Sequence, residues 1–249
     1  MRLVVLGGGE SGVGTAILGK KKGYDVFVSD FGKIKEKYKE VLISNGIDFE
    51  DQQHTEDLIL NADVVMKSPG IPEKVSIVKK LIEKGIPVIS EIEFAAPFTE
   101  AVTIGITGSN GKTTVTMLTY HLLHSAGLNV GLGGNIGKSF AWQVADETFD
   151  SYVLELSSFQ LDGIVDYKPH IAIITNISPD HLDRYDYKYE NYIASKFRIT
   201  MNQTEEDYLI YDADDEAISN WLKNNKTRAK LIPFSLTKTF SEGAFIKNK

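Results

Sequence analysis

Short apolar runs alternate with amphipathic stretches along the first hundred residues. Strand-length apolar runs lie at residues 2–6, 25–29, 62–66 and 86–89, and helices are predicted after residue 12 through about residue 22 and over 33–45, 54–61 and 73–84. Strands that alternate with helices predict a parallel α/β sheet. An amphipathic piece at residues 91–97 ends this part of the chain, so we place a domain boundary near residues 99–101.

The second half repeats the alternation. Val115, Leu118, Leu122 and Leu123 recur at helical spacing, which predicts an apolar helix face within residues 112–126. Strands are predicted at residues 101–106, 129–132, 151–155, 171–175, 207–211 and 229–234, and further helices at 189–201 and 214–224. The chain therefore predicts two α/β domains, at residues 1–99 and 100–249.

Composition narrows the class of protein. The chain has 249 residues, 42% of them hydrophobic, which suits two globular domains. Its net charge of −7 is dispersed along the chain, so we expect neither a nucleic-acid footprint nor a basic membrane patch. There is no cysteine, no signal-peptide pattern at the N-terminus and no apolar run near the ~20 residues of a membrane helix. We expect a cytoplasmic protein.

A first glycine-rich turn follows the first predicted strand. Gly7, Gly9 and Gly12 satisfy the pattern G-x-G-x-x-G, and Asp30 ends the second strand, where an acid that binds a ribose would lie. This pattern predicts a Rossmann-like domain. A dinucleotide such as NAD and a nucleotide diphosphate sugar would use such a turn equally well, so both ligands remain open. Residues 67–72 form a second candidate loop, although a plain proline-rich turn would explain them.

A second glycine-rich loop, residues 105–114, joins a predicted strand to a predicted helix. Backbone N–H groups from Gly108 to Lys112 are expected to face phosphate oxygens, the Lys112 side chain to reach the terminal phosphates, and Thr113 to offer a hydroxyl to Mg²⁺. The first glycine is displaced from the usual P-loop spacing, so this is a variant loop. The predicted nucleotide-binding residues are Gly108, Ser109, Asn110, Gly111, Lys112, Thr113 and Thr114.

Glu155 is a candidate Mg²⁺ ligand, and His181 is a candidate metal ligand or phosphate contact. Glu155 ends an apolar strand after the phosphate loop, where an acid that ligates Mg²⁺ belongs. His181 follows another strand end, and Lys196 lies on the predicted helix at 189–201. Each has a plainer explanation: an acid on an edge strand, a surface histidine and a solvated helical lysine.

Five motifs together resemble the Mur ligase family. They are the first glycine turn with Asp30, residues 106–114, residues 134–137, residues 155–161 and residues 176–185, and they occur in the order that the family has. Residues 68–72 and 155–161 are most similar to the members that add D-glutamate to UDP-N-acetylmuramoyl-L-alanine. The resemblance covers essentially the whole chain.

The resemblance implies a role for each matching residue. The first domain would bind a uridine nucleotide rather than NAD, with the uracil and ribose near Glu10, Ser11, Asp30 and Phe31 and the pyrophosphate near Ser68, Pro69, Gly70 and Ile71. Lys112 and Thr113 would hold ATP and one Mg²⁺, and Glu155 and His181 a second Mg²⁺. Asn135, Ser157 and Gln160 would line the muramoyl and phosphate region. Lys196 would be carbamylated, which makes it a fourth metal ligand besides Thr113, Glu155 and His181.

The implied reaction is ATP-dependent amide formation through an acyl phosphate in peptidoglycan precursor synthesis. Lys112, Glu155, His181 and Lys196 would be the catalytic residues of a monomer that acts on small molecules. Family members have a third, C-terminal domain that selects the amino acid. We expect this chain to lack that domain, to contain an incomplete central domain and to be unable to complete ligation.

Three other functions remain as alternatives. An NAD-dependent oxidoreductase would use Gly7 to Gly12 and Asp30 but leaves Lys112 and Glu155 unexplained. A non-catalytic nucleotide-binding module would bind without turnover. A sister ligase, including one that builds folate polyglutamate, would share the ATP loop but lack uridine-nucleotide recognition or the pattern at residues 155–161.

Overall fold

The computed structural model describes residues 1–246, which form two compact units. The first unit contains Met1–Glu100 together with Gly137–Thr148 and Gly163–Val165. The second contains Ala101–Ile136, Phe149–Asp162 and the described residues from Asp166 onward. The sequence pattern predicts residues 137–148 and 163–165 in the second domain, but they pack with the first unit.

The first unit is built on a five-stranded parallel sheet in the order β3-β2-β1-β4-β5. Its elements from residues 1–100 are β1 (Arg2–Leu6), α1 (Glu10–Lys21), β2 (Asp25–Asp30), α2 (Glu36–Ser44), β3 (Asp48–Asp51), α3 (Glu56–Ile59), β4 (Val64–Lys67), α4 (Ser76–Glu83), β5 (Val88–Ile89) and α5 (Glu91–Ala95). This strand order is that of dinucleotide-binding sheets. Strand β3 was not predicted, because three of its four residues are acidic.

The second unit is built on a seven-stranded parallel sheet in the order β12-β11-β10-β9-β6-β8-β7. The elements beyond residue 100 are β6 (Val102–Thr107), α6 (Lys112–Ser125), β7 (Val130–Gly134), α7 (Phe140–Asp146), β8 (Ser151–Glu155), α8 (Ser158–Asp162), β9 (Ile171–Ile174), α9 (Tyr189–Phe197), β10 (Tyr208–Asp212), α10 (Glu216–Asn224), β11 (Lys230–Ser235) and β12 (Ala244–Phe245). Helix α7 belongs to the first unit. The predicted α/β class with two parallel sheets is confirmed.

Helix α7 is held in the first unit by a buried carboxylate. Glu91, at the start of α5, is 1% exposed, and its Oε1 accepts hydrogen bonds from Ser139 Oγ at 2.5 Å and from the Ala141 N–H at 3.0 Å. Gly14 of α1 lies so close to this helix that a Cβ there would meet Ser139 Oγ at 2.1 Å. The long-range partners of residues 139–141 therefore decide which unit contains α7.

The apolar face predicted for α6 is only partly buried. Val115 and Leu123 pack against the core cluster that contains Ile106 and Val153. Leu118 and Leu122, predicted on the same face, are 55% and 60% exposed. The sheet surface beneath α6 therefore contacts a narrower stripe of the helix than the apolar spacing covers. No helix within residues 1–246 is long and apolar enough to cross a membrane.

Asp207 organises the start of β10, and its replacement tests the fold. Its Oδ2 accepts hydrogen bonds from Lys168 Nζ at 2.9 Å and the Thr204 N–H at 2.7 Å, and its Oδ1 lies 3.0 Å from His170 Nδ1. Burial by itself would raise the pKa of this carboxyl, but the hydrogen bonds from Lys168, Thr204 and His170 outweigh it and lower the pKa to about 2.

We expect Asp207→Asn to lower the free energy of unfolding by about 2 kcal/mol at pH 7. Because the pKa in the folded state is depressed, this contribution is present above the unfolded-state pKa of about 4 and disappears as the pH falls towards 2. Urea denaturation of both proteins at pH 7, 4 and 3 measures the difference. Glu206→Gln, at an exposed neighbouring position, is the control. A stability difference that is the same at pH 7 and pH 3 would contradict this account.

Candidate functional site

The glycine turn of the first unit lies at the carboxyl edge of its sheet, where open α/β sheets bind ligands. Gly7 has φ +100°, and its N–H donates to the Ser29 carbonyl at 2.9 Å. A Cβ on Gly12 would lie 1.8 Å from the Gly7 carbonyl oxygen, so α1 can approach the turn only with glycine there. The turn therefore has the tight bend and close helix packing that the sequence predicted.

Asp30 braces this turn through both carboxylate oxygens. Its Oδ2 accepts from the Gly8 N–H at 2.7 Å, and its Oδ1 accepts from the Gly32 N–H at 2.8 Å. The neighbouring Phe31 ring is 74% exposed, which is unusual for a phenylalanine. The end of β2 thus presents a fixed carboxylate and an open aromatic face.

Glu10 and Ser11 lie at the start of α1, beside the segment that contains Ser139. Glu10 accepts from the Tyr38 hydroxyl at 3.2 Å and from the Ser139 N–H at 3.3 Å. Burial raises the pKa of Glu91, while hydrogen bonds from Ser139, Ala141 and Ser11 act in the opposite direction.

The loop at residues 68–71 adjoins the glycine turn. The Ser68 N–H donates to the Leu6 carbonyl at 2.9 Å, and the Ile71 N–H donates to the Ser68 carbonyl at 3.0 Å. A Cβ on Gly7 would meet Ser68 Oγ at 2.5 Å, so this hydroxyl lies directly against the turn. Pro69 and Gly70 occupy the same short loop. The structure thus brings the two candidate loops of the first unit together.

In the second unit, the phosphate loop has the backbone that its glycines predict. Gly108 has φ +147° and Gly111 has φ +78°, and Gly111 caps the N-terminus of α6. A Cβ on Gly108 would lie 2.0 Å from Thr175 Oγ1. Asn110 and Thr114 are exposed at either end of the turn. The loop therefore packs closely against the strand β9 side of the sheet.

Two amides of this loop have protein partners. The Ser109 N–H donates to the Asn176 carbonyl and the Asn110 N–H to Asn176 Oδ1, each at 2.9 Å. The Ser109 side chain accepts from the Ser178 N–H at 2.9 Å. The loop sequence predicts that these amides face phosphate, but in the structure they fix the loop to residues 176–178. The amides at the N-terminus of α6 are then the ones placed for an anion.

Two lysines converge on one carbonyl oxygen of the loop. Lys112 Nζ donates to the Gly108 carbonyl at 2.9 Å and to the Ser109 carbonyl at 3.0 Å, and Lys196 Nζ donates to the same Gly108 carbonyl at 2.7 Å. Lys196 is only 2% exposed, and its ammonium lies 4.6 Å from the centre of the Tyr192 ring. Burial and then the nearby charge of Lys112 lower the pKa of Lys196 to about 7. The alternative of a solvated lysine is wrong.

Glu155 lies at the centre of a small hydrogen-bond network. Its side chain is almost fully buried, its Oε2 accepts from Thr113 Oγ1 at 2.7 Å, and its Oε1 accepts from Asn135 Nδ2 at 2.8 Å. Strand β8 runs between β6 and β7, so the alternative of an acid on an edge strand is wrong. A carboxylate and a hydroxyl in contact are hard oxygen donors that suit Mg²⁺.

Ser157 and Gln160 follow directly after β8 and bond to each other. Gln160 Oε1 accepts from the Ser157 N–H and from Ser157 Oγ, both at 3.0 Å. The Gln160 side chain is buried. The two residues therefore form a fixed turn that follows Glu155 in the chain.

His181 is placed differently from the other candidates. It has φ +50°, is exposed, and its ring lies 5.2 Å from that of Phe159. Within residues 1–246, no three His, Cys, Asp or Glu side chains lie close enough together to hold a metal ion. The ligand set of Thr113, Glu155, His181 and Lys196 therefore stays a prediction, of which the structure joins Thr113 and Glu155.

Sequence reasoning missed the residues that hold the phosphate loop in place. Asn176 and Ser178 bond its backbone and side chains, and the Tyr192 hydroxyl lies 3.2 Å from Ser109 Oγ. A signal was available, because β9 pairs with β6 in a parallel sheet and the residues after the two strands must then meet. Tyr192 also lies one helical turn before Lys196.

The second unit thus brings an anion-binding helix N-terminus, a lysine and a carboxylate with a hydroxyl partner to one edge of its sheet. Such an arrangement can hold a polyphosphate and a divalent cation. The first unit offers a glycine turn, an ordered acid and an exposed aromatic ring at its own sheet edge. This arrangement can hold a nucleotide diphosphate.

Both halves of the chain match known protein families. The model of the Mur ligase middle domain matches residues 106–249, and that of the MurD N-terminal domain matches residues 2–77. The chain is 66% identical over 248 residues to the UDP-N-acetylmuramoylalanine–D-glutamate ligase of Christiangramia forsetii, with 100% of this chain and 56% of that protein covered. It is 56% identical over 247 residues to the enzyme of that name from Bacteroides fragilis, with 99% of this chain and 56% of that protein covered.

A solved structure shares the fold. The UDP-N-acetylmuramate-alanine ligase of Thermotoga maritima superposes with a TM-score of 0.58 at 21% identity, over 96% of this chain and 53% of that one. The chain spans about half the length of the curated relatives that it matches.

Proposed function

This chain belongs to the Mur ligase family, and from that premise we propose that it acts in ATP-dependent amide formation, joining D-glutamate to UDP-N-acetylmuramoyl-L-alanine. The observation that supports this most is the buried Glu155 carboxylate, bonded to Thr113 and Asn135 beside the phosphate loop. Neither an oxidoreductase nor a simple dinucleotide-binding module requires that network.

The chemistry explains why a phosphate site is needed. A carboxylate acylates an amine poorly, because it has no good leaving group. Its oxygen therefore first attacks the γ-phosphorus of ATP, which releases ADP and forms an acyl phosphate. The amine of D-glutamate then attacks the acyl carbon, loses a proton and expels phosphate. Such catalysis depends mainly on positioning and on neutralising the phosphoryl oxygens.

Residues of the second unit would do this work. Lys112 would exchange its two carbonyl partners for phosphate oxygens, which accept hydrogen bonds more strongly because they are charged. The α6 N-terminus would hold the same phosphates, and Asn135, Ser157 and Gln160 the muramoyl side of the reacting group. Bound Mg²⁺ would neutralise phosphate charge, with Thr113 as a ligand of one ion and Glu155 and His181 as ligands of a second.

Lys196 would complete that ligand set as a carbamate. Its burial and the charge of Lys112 favour the neutral amine, which is the form that attacks CO₂. A nitrogen–carbon bond then forms and the amine loses a proton. The product is an anion with two oxygen ligands, whereas an ammonium would repel Mg²⁺.

The first unit would bind the uridine diphosphate part of the substrate. Phe31 offers an exposed face to the base, Asp30 lies beside it, and Glu10 and Ser11 flank the turn. Residues 68–71 would lie near the pyrophosphate. An NAD-dependent oxidoreductase would use the same turn, so ligand binding must separate the two functions.

Calorimetric titration with UDP-N-acetylmuramoyl-L-alanine, with NAD as the comparison, tests the proposal. We expect binding of the muramoyl nucleotide and no binding of NAD. Asp30→Ala should weaken that binding about tenfold, because it removes the brace of the turn. Asp25→Ala, at the other end of β2, should leave it unchanged. Binding of NAD alone would reject the ligase and favour the oxidoreductase.

A further inference from the structure

Three polar side chains, those of Ser29, Glu50 and His54, are linked by hydrogen bonds at the carboxyl edge of the first unit's sheet. None of them has a role in the proposed function. Ser29 and Glu50 are paired across β2 and β3, and Ser29 Oγ lies 2.7 Å from Glu50 Oε1. His54, in the loop after β3, places Nδ1 2.6 Å from the same Ser29 Oγ. Ser29 is fully buried, so no substrate can reach its hydroxyl, and the three residues are not a catalytic nucleophile with its base.

Glu50 is held as an anion. Its carboxylate accepts hydrogen bonds from the Thr55 N–H at 2.8 Å, Thr55 Oγ1 at 2.6 Å and Gln53 Nε2 at 3.1 Å, besides that from Ser29. Burial alone would raise the pKa of Glu50, but these donors lower it below its ordinary value. Glu50 therefore only accepts hydrogen bonds.

This arrangement fixes the tautomer of His54. The hydroxyl of Ser29 has a single proton, which it donates to Glu50, so Ser29 Oγ must accept from His54 Nδ1–H. Burial lowers the pKa of His54 against the opposing charges of Glu50 and Asp30, so the ring is neutral at pH 7. A neutral ring with a proton on Nδ1 presents Nε2 as a hydrogen-bond acceptor.

His54 also lies beside the proposed base site. Its ring centre is 5.6 Å from that of Phe31, whose face is exposed, and Phe31 directly follows Asp30. Within residues 1–246, the hydrogen bonds of the His54 ring are confined to Ser29, which leaves Nε2 without a partner. An aromatic platform and a fixed acceptor thus adjoin the acid at the end of β2.

We propose that His54 selects the base of the bound nucleotide. Its Nε2 accepts a hydrogen bond from the N3–H of uracil, and the uracil ring stacks on Phe31. Cytosine carries an acceptor at N3, so two lone pairs would face each other. Ser29 and Glu50 act as positioning residues that keep His54 in the accepting tautomer. This inference rests on the proposed function, because it requires that the first unit bind a uridine nucleotide.

Calorimetric titration of the full chain with UDP and with CDP tests the inference. We expect the wild type to prefer UDP by about tenfold, since one hydrogen bond is gained with uracil and an acceptor is left unpaired with cytosine. His54→Leu should remove most of that preference. His54→Gln, which restores an acceptor, should retain part of it. Phe31→Ala should weaken UDP and CDP alike and leave their ratio unchanged.

The outcomes separate this inference from the proposed function. If UDP binds but His54→Leu keeps the wild-type ratio, the role of His54 is wrong while uridine-nucleotide binding stands. If the wild type binds neither UDP nor CDP, both the role of His54 and the proposed uridine-nucleotide binding are wrong. Should His54→Leu not fold, a long-range ¹H–¹⁵N spectrum of the wild type decides. A proton on Nδ1, with a shift of the Nε2 resonance on adding UDP, supports the inference, and a proton on Nε2 overturns it.

Discussion

Replacing Lys112 with alanine is expected to weaken binding of magnesium ATP by about ten- to a hundredfold. The Lys112 ammonium lies over the loop on the Gly108 and Ser109 carbonyls and is placed to exchange them for phosphate oxygens. A hydrogen bond between charged groups contributes roughly 1.5–3 kcal/mol, and each 1.4 kcal/mol corresponds to a tenfold change in affinity. Calorimetric titration of both proteins with ATP in the presence of Mg²⁺ measures the effect.

Lys230→Ala provides the matched control, because Lys230 is an exposed lysine of the same unit that packs over the Tyr208 ring. It should leave ATP affinity unchanged. Lys112→Arg should also bind weakly, since a planar guanidinium does not fit a position built for a compact ammonium. Equal ATP affinities of Lys112→Ala and the wild type would show that this loop does not bind the phosphates.

Replacing Lys196 with methionine is expected to make the protein more stable and to abolish carbamate formation. Lys196 is 2% exposed and shares the Gly108 carbonyl with Lys112, so its ammonium is both desolvated and repelled. An apolar side chain of similar volume removes that cost, and we expect about 1–3 kcal/mol of added stability. Urea denaturation at pH 7 without added bicarbonate measures the change.

The same variant tests the carbamate directly. In ¹³C-labelled bicarbonate, the wild type should give a carbamate carbonyl resonance in a ¹³C spectrum, and Lys196→Met should not. Lys188→Met serves as the control, because Lys188 precedes the same helix and is exposed. A carbamate signal that survives in Lys196→Met would assign the modification to another amine. A variant less stable than the wild type would contradict the cost assigned to the buried ammonium.

Local patterns predicted the fold class well. Arg2–Leu6 and Val102–Thr107 are the strands that their apolar runs indicated, and Gly108 and Gly111 have the positive φ values that a phosphate loop uses. Strand β3 was missed because its acidic residues hide it, although Glu50 of this strand turns inward to Ser29. A pattern of apolar residues cannot reveal a strand whose buried side chain is charged.

For the candidate site too, the sequence indicated some residues correctly and others not. The sequence indicated Lys112 through its place in the loop after β6 and Glu155 through its place at the end of β8, but it could not distinguish a buried Lys196 from a solvated one. It assigned the Ser109 and Asn110 amides to phosphate, whereas Asn176 accepts from both.

By itself, the sequence determined the alternation of strands and helices, the two glycine turns and the family, because spacing and glycine content act over a few neighbouring residues. The tertiary structure alone decided which side chains share a site. Lys196 meets Gly108 across 88 residues, Thr113 meets Glu155 across 42, and Ser29 meets His54 across 25. Burial, the pKa of Lys196 and the tautomer of His54 all depend on such contacts, which exist only once the strands have paired in register.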